Sequence, residues 1–158
     1  MRQIRVYIDT SVFGGTQDEE FRLQSEALFE QVRRGRYLLL ISEVTLAELS
    51  GAPARVQEAF LALPAEHIVQ VPVGEEAERL ADAYIAAGVL GPARRGDALH
   101  VAAATIARSD VIVSWNFKHI VNYQRIHQFN GVNALKGYPE LEIHSPLEMS
   151  HADPSEDI

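Results

Sequence analysis

The stretch Tyr37-Leu38-Leu39-Leu40-Ile41 is apolar at every position and has the length of a single strand. A strand that is apolar on both faces belongs in the middle of a parallel sheet, where helices cover both sides. Directly after it, Ser42 is placed to cap a helix over 43–49. Directly before it, Gly35 closes a helix over 18–34 whose Phe21, Leu28, Phe29 and Val32 share one face. Further upstream, Ile4 to Ile8 reads as a short first strand that stops at Asp9 and gives way to a loop.

The alternation continues toward the C-terminus. After Gly51 and Pro53, a helix with Val56, Ala59, Phe60 and Leu63 on its apolar stripe runs to Pro64. A strand is expected over 67–73, then a helix over 75–87 with Ala77, Leu80, Ala81 and Tyr84 inward and Gly88 as its stop. Asp97 opens a helix to about residue 108 that is apolar almost all round, through Ala98, Leu99, Val101, Ala102, Ala103 and Ile106, which predicts burial. A strand over 111–115, a helix over 118–129 and a short strand over 141–144 complete the pattern. Strands alternating with helices predict an α/β fold, a three-layer α/β/α sandwich around a mostly parallel sheet with right-handed crossovers. No repeat or linker divides the chain, so one domain is expected over 1–148, with 149–158 as a flexible acidic C-terminal tail.

Composition narrows the function. A chain of 158 residues buries roughly two-thirds of its unfolded surface and needs no covalent staple. Cysteine is absent, which excludes disulfides, thiolate metal sites and cysteine nucleophiles. Charges at Arg2 and Arg5 and the early Asp9 leave no signal-peptide pattern, and no run reaches the roughly 20 apolar residues of a membrane span, so the cytoplasm is the expected compartment. A net charge of −8 argues against binding nucleic acid through bulk charge. Locally, Arg33, Arg34 and Arg36 cluster, and Arg94 and Arg95 precede Asp97. These are either phosphate contacts or solvated charges.

In an open α/β sheet, ligands bind beyond the carboxyl ends of the strands, where the strand order reverses. Asp9 ends the first strand, Glu48 lies in the helix after the second, Asp97 begins the buried helix, and Asn116 follows the strand ending at Trp115. Carboxylates gathered in one crevice repel each other unless a cation neutralises them, and hard oxygen donors suit Mg²⁺ or Mn²⁺. Such an ion lowers the pKa of a bound water and offsets charge on a leaving oxygen, which is the chemistry of phosphodiester hydrolysis. Taken singly, each residue has an ordinary role: Asp9 as a turn residue, Glu48 facing water, Asp97 as a helix cap. The set and its placement carry the functional reading.

Through these residues the sequence resembles the PIN-domain family, and within it the VapC-like toxin ribonucleases of toxin–antitoxin pairs. VYIDTSVF (6–13) is similar to the opening strand and first acid of that family, with Thr10 or Ser11 as the adjacent hydroxyl. ISEVTLAEL (41–49) maps the family's Glu onto Glu48, and GDALHVAAA (96–104) maps its third acid onto Asp97. VIVSWNFKHI (111–120) departs from the pattern, with Asn116 where many members carry Asp, so a second metal position lacks a charge. The resemblance spans residues 4 to 146. It implies a Mg²⁺- or Mn²⁺-dependent endoribonuclease with Asp9, Glu48 and Asp97 as metal ligands and Asn116 orienting water or substrate. It also implies an RNA substrate, a cognate antitoxin partner, a homodimer and no membrane association.

Other residues and readings stand beside this one. His100, one turn after Asp97, is within reach of the site but reads as a satisfied core histidine, and His119 is a candidate phosphate contact. The remaining histidines lack zinc-ligand spacing. Trp115, which could stack a base, reads as packing. A phosphatase using Asp9 as nucleophile would need an Asp at position 11, where this chain has Ser11. A PIN-like scaffold that binds a protein or RNA without cutting is the alternative in a different class.

Overall fold

The computed structural model describes residues 2–149. These residues form a five-stranded, wholly parallel sheet in the order β3-β2-β1-β4-β5, more uniform than the mostly parallel sheet expected. The strands are β1 (Ile4–Ile8), β2 (Tyr37–Ser42), β3 (Ile68–Val71), β4 (Val111–Val113) and β5 (Glu142–His144). The helices are α1 (Thr10–Gly15), α2 (Arg22–Arg33), α3 (Glu43–Ser50), α4 (Ala54–Leu61), α5 (Glu75–Ala86), α6 (Arg95–Ile106), α7 (Tyr123–Leu135) and α8 (Pro146–Met149).

The period-two alternation of each strand sorts its side chains between two cores. Tyr7, Leu40, Ile112 and Ile143 lie in register across the sheet and pack with α5, α6 and α7. Val6, Ile8, Leu39, Ile41, Val111 and Val113 face the other way, onto α1, α2, Leu49 of α3, Val56 of α4 and Met149 of α8. Burial on both faces is why the central strands read as unbroken apolar runs. Phe13 links the second core by stacking on Phe29 at 5.1 Å and meeting Phe60 edge-on at 5.6 Å. Such aromatic pairs add about 0.5–1.5 kcal/mol each beyond area burial.

Several element boundaries differ from the sequence expectation. The loop expected after Asp9 is helix α1, because buried Val12 and Phe13 outweigh the weak helix propensity of Thr-Ser-Val-Phe-Gly-Gly. Helix α2 begins four residues late, at Arg22. Asp97 does not open its helix: a 3-10 turn at Pro92–Arg94 feeds into α6, Arg94 holds the cap position, and Asp97 sits in the first turn. The helix expected over 118–129 is displaced to Tyr123–Leu135, starting where the Asn122 side chain accepts a hydrogen bond from Arg125 N. Strand β4 stops at Val113, freeing Ser114, Trp115 and Asn116 for the crevice. Helix α8 was not anticipated. Its start is a capping box in which Ser145 Oγ accepts from Leu147 N and the Glu148 carboxylate accepts from Ser145 N. The tail expected at the C-terminus lies, from residue 150 on, outside the described residues.

The chain passes from β1 outward through β2 to β3, then returns to place β4 on the opposite side of β1. The order therefore reverses between β1 and β4, and the crevice beyond their carboxyl ends is where Asp9 and Ser114 emerge.

Candidate active site

Asp9 occupies the cap position of α1 with extended backbone, yet its side chain does not cap the helix. The carboxylate instead accepts hydrogen bonds from two hydroxyls, Ser11 Oγ on Oδ1 at 2.5 Å and Ser114 Oγ on Oδ2 at 2.7 Å. The backbone holds both hydroxyls: Trp115 N donates to Ser11 Oγ at 2.9 Å and Asn116 N donates to Ser114 Oγ at 2.9 Å. Asp9 is 4% exposed. Burial, the largest influence, raises its pKa. The His100 charge and the two serine hydroxyls pull it down, and Glu48 adds repulsion, with a net upward shift.

Glu48 extends from α3 with about half its side chain in water, and its Oε1 meets His100 Nε2 at 2.5 Å. His100 is buried on α6, and its Nδ1 lies 2.8 Å from Tyr7 Oη, which lies 2.7 Å from Ser42 Oγ. Ser42 Oγ already accepts from Val44 N and Thr45 N as the α3 cap, leaving its proton for Tyr7. With a neutral imidazole Tyr7 donates to His100 Nδ1 and His100 Nε2–H donates to Glu48, whereas a charged imidazole donates from both nitrogens. Burial would raise the Glu48 pKa, but the His100 bond and charge, helped by Thr10, outweigh it and hold the carboxyl below its ordinary value. Thr10 Oγ1 is itself buried and makes no hydrogen bond of ordinary geometry.

Asp97 stands three positions before His100 on α6, a spacing that makes the two side chains neighbours on one helical face. Its charge bears on His119. Asn116 Oδ1 accepts from His119 N at 2.9 Å, fixing the loop and leaving one carbonyl lone pair free. The His119 pKa is lowered, first by burial and then by the charge of Arg94, with Arg125 and Lys118 adding to it and Asp97 opposing. Arg95 is held by Asp82, with Nη2 3.0 Å and Nε 3.2 Å from Oδ1, which separates it from Arg94 in role.

The crevice thus brings Asp9 and Glu48 into electrostatic contact, ties Glu48 to His100, and places Asp97 one turn from His100. Among the described residues, no three Asp, Glu or His side chains are grouped so as to hold a metal ion as they stand. In kind, the donor set fits a hard divalent ion: carboxylate oxygens, one of them buried with its pKa raised, beside neutral hydroxyls. Ser114 and Tyr7 carry no signal singled out from the sequence, Ser42 reads there only as the cap of α3, and His100 reads as core. Two signals were nevertheless present: Ser114 follows β4 as Asp9 follows β1, and His100 is spaced three from Asp97.

Solved structures share this arrangement of strands and helices. One is VapBC2 from Rickettsia felis, bound to a DNA fragment from its promoter. It is 13% identical, with 90% of this chain and 98% of that chain covered and a TM-score of 0.54. Another is FitAB bound to an IR36 DNA fragment, 14% identical over 94% and 97% of the two chains, with a TM-score of 0.57. FitAcB from Neisseria gonorrhoeae is 13% identical over 90% and 98%, with a TM-score of 0.51. The fold is PIN-like. No family model matches the sequence, and no curated protein matches it. In this PIN-like fold the Asp9 crevice lies at the switch point between β1 and β4. Among the described residues no helix is long and apolar enough to cross a membrane.

Proposed function

We propose that this chain is a Mg²⁺- or Mn²⁺-dependent endoribonuclease of the VapC-like kind. The observation that carries the reading is Asp9, a buried carboxylate with raised pKa at the strand-order switch, facing Glu48. In a compact domain such a charge is costly unless an ion or a proton meets it. Asp9, Glu48 and Asp97 would hold the cation, which when bound would acidify a water and offset charge on the phosphate. Ser11 and Ser114 orient the Asp9 carboxylate, His100 orients Glu48, and Asn116 presents its remaining lone pair to water or substrate. The test is cleavage of a single-stranded RNA by purified protein with Mn²⁺, with EDTA, and with Asp9→Asn. Cleavage should require both the ion and Asp9, and cleavage that survives EDTA or the substitution would refute the assignment.

The likeness in fold to VapBC2 and FitAB supports a small protein partner, and we infer with it that this partner masks the crevice, that the chain is a homodimer and that its setting is cytoplasmic. Co-expression with the neighbouring gene product, followed by size-exclusion chromatography, tests the partner and the dimer together. One feature favours a second reading, a PIN-like scaffold that binds without cutting: both Asp9 oxygens and the Asn116 oxygen already have partners within the chain. Absence of Mn²⁺-dependent cleavage alongside retained partner binding would select it.

A further inference from the structure

The loop that follows Ser114 presents an aromatic ring beside a group of cations. Phe117 is 44% exposed, and it is not on a loose segment. Phe117 N donates to Trp115 O at 2.9 Å, while Ile120 N and Val121 N both donate to Asn116 O. The ring meets Trp115 edge-on at 6.0 Å. Trp115 is itself stacked on Phe21 at 4.1 Å and anchored through Nε1 to Ser25 Oγ at 2.8 Å. The exposed ring therefore stands on a fixed base. It lies three residues from Ser114, whose hydroxyl touches Asp9, a separation of at most about 11 Å along the chain.

The charges nearby are mostly basic, three cations against the single carboxylate Asp97. Arg94, Lys118 and Arg125 all bear on His119. Arg125 Nη1 donates to Lys118 O at 3.0 Å, which ties α7 to the loop. Among the described residues none of these three cations pairs with a carboxylate, whereas Arg2, Arg33, Arg34, Arg79 and Arg95 all do. In a chain of net charge −8, three cations around one carboxylate make a locally basic place where a polyanion can be held.

We propose that the Asn116–His119 loop grips unpaired RNA: Phe117 stacks on one base near the cleaved linkage, and Arg94, Lys118 and Arg125 take the flanking phosphates. The proposal deepens the nuclease reading and rests on it for its placement beside the Asp9 crevice. A ring on a rigid base suits any base that presents a π face, and a duplex does not offer one to it.

The experiment measures binding of a labelled single-stranded RNA by fluorescence anisotropy in EDTA, where no hydrolysis occurs. The protein is full length, either wild type, Phe117→Leu, Phe117→Trp or the Arg94→Ala/Lys118→Ala double variant. Phe117→Leu keeps apolar contact with Trp115 but lacks a π face, and it should weaken binding about 5- to 100-fold, the equivalent of one base–aromatic stack. Phe117→Trp should bind as wild type. On an RNA whose bases are replaced by abasic sites, wild type and Phe117→Leu should bind equally. The double variant should flatten the slope of log K against log salt by about 0.7 per lost phosphate contact. Equal binding of intact RNA by wild type and Phe117→Leu, an equal loss on abasic RNA, or wild-type preference for duplex would overturn the proposal. Binding as expected without Mn²⁺-dependent cutting would instead overturn the nuclease reading and leave the grip standing.

Discussion

His100 Nε2 stands 2.5 Å from Glu48 Oε1, and the same imidazole receives Tyr7 Oη on its other nitrogen. A half-exposed glutamate is thereby tied to a buried tyrosine and to the cap of α3. Replacing His100 with Leu removes the acceptor of a buried hydroxyl, at a cost of about 1–3 kcal/mol. It also frees Glu48 from the group that lowers its pKa, so burial then pushes that pKa up. In the proposed reaction Glu48 acts as a carboxylate, so the acidic limb of the pH–rate profile for RNA cleavage should move to higher pH. Activity at neutral pH should fall about 10- to 100-fold. A profile that stays in place would remove His100 from any positioning role.

Asp9 makes the opposite contribution to stability. A buried carboxylate with a raised folded pKa destabilises the fold in full above that pKa, and the penalty fades as pH falls from there toward the unfolded value, below which it is gone. In EDTA at neutral pH, Asp9→Asn should therefore melt higher than wild type, by about 2–4 °C for each kcal/mol relieved. Mn²⁺ should raise the melting temperature of wild type and leave that of the variant unchanged. Calorimetry with and without the ion reads both effects, and a variant less stable than wild type in EDTA would contradict the argument.

Gly15 marks a close approach. A Cβ there would lie 2.5 Å from Ser25 Oγ and 2.6 Å from Trp115 Nε1, inside the bond that anchors the indole. Gly15→Ala should cost about 1–3 kcal/mol through overpacking. It should also shift the tryptophan fluorescence, which comes from Trp115 alone. A urea titration followed by that emission tests both points at once.

Tyr84, Asn133 and Thr105 join α5, α7 and α6 through buried polar contacts, with Tyr84 Oη donating to Asn133 Oδ1 at 2.5 Å. Tyr84→Phe leaves that oxygen buried without its donor, so a loss of about 1–3 kcal/mol is expected. Because Tyr84, Asn133 and Thr105 bond to one another and not to Asp9, Glu48, Asp97 or Asn116, RNA cleavage at room temperature should be unchanged. Denaturant unfolding and an activity assay separate the two effects.

The apolar runs at Tyr37–Ile41 and Val111–Val113 were legible in the sequence because a strand covered on both faces has no polar period to hide it. Asp9 was legible as the residue that ends β1, whereas Glu48 lies inside α3 and Asp97 in the first turn of α6, not at its start. Helix α1 was not, since its six residues are poor helix formers that only the packing of Val12 and Phe13 holds in place. The His100 link to Glu48 spans 52 residues, and the Ser114 link to Asp9 spans 105. No local pattern records a hydrogen bond at that separation. The exposure of Phe117 was equally hidden, because a ring after an apolar strand looks like more core until its turn is known.

The same long-range closure has a temporal side. β1 leaves the ribosome first, but the β4 neighbour that carries Ser114 follows 105 residues later. At synthesis rates of about 5–20 residues per second, the nascent chain carries its first carboxylate for roughly 5–20 s before the pocket around it exists. A chain truncated upstream of Ser114 lacks the hydroxyl that holds Asp9 Oδ2, so the full set of contacts on that carboxylate is among the last features the fold acquires.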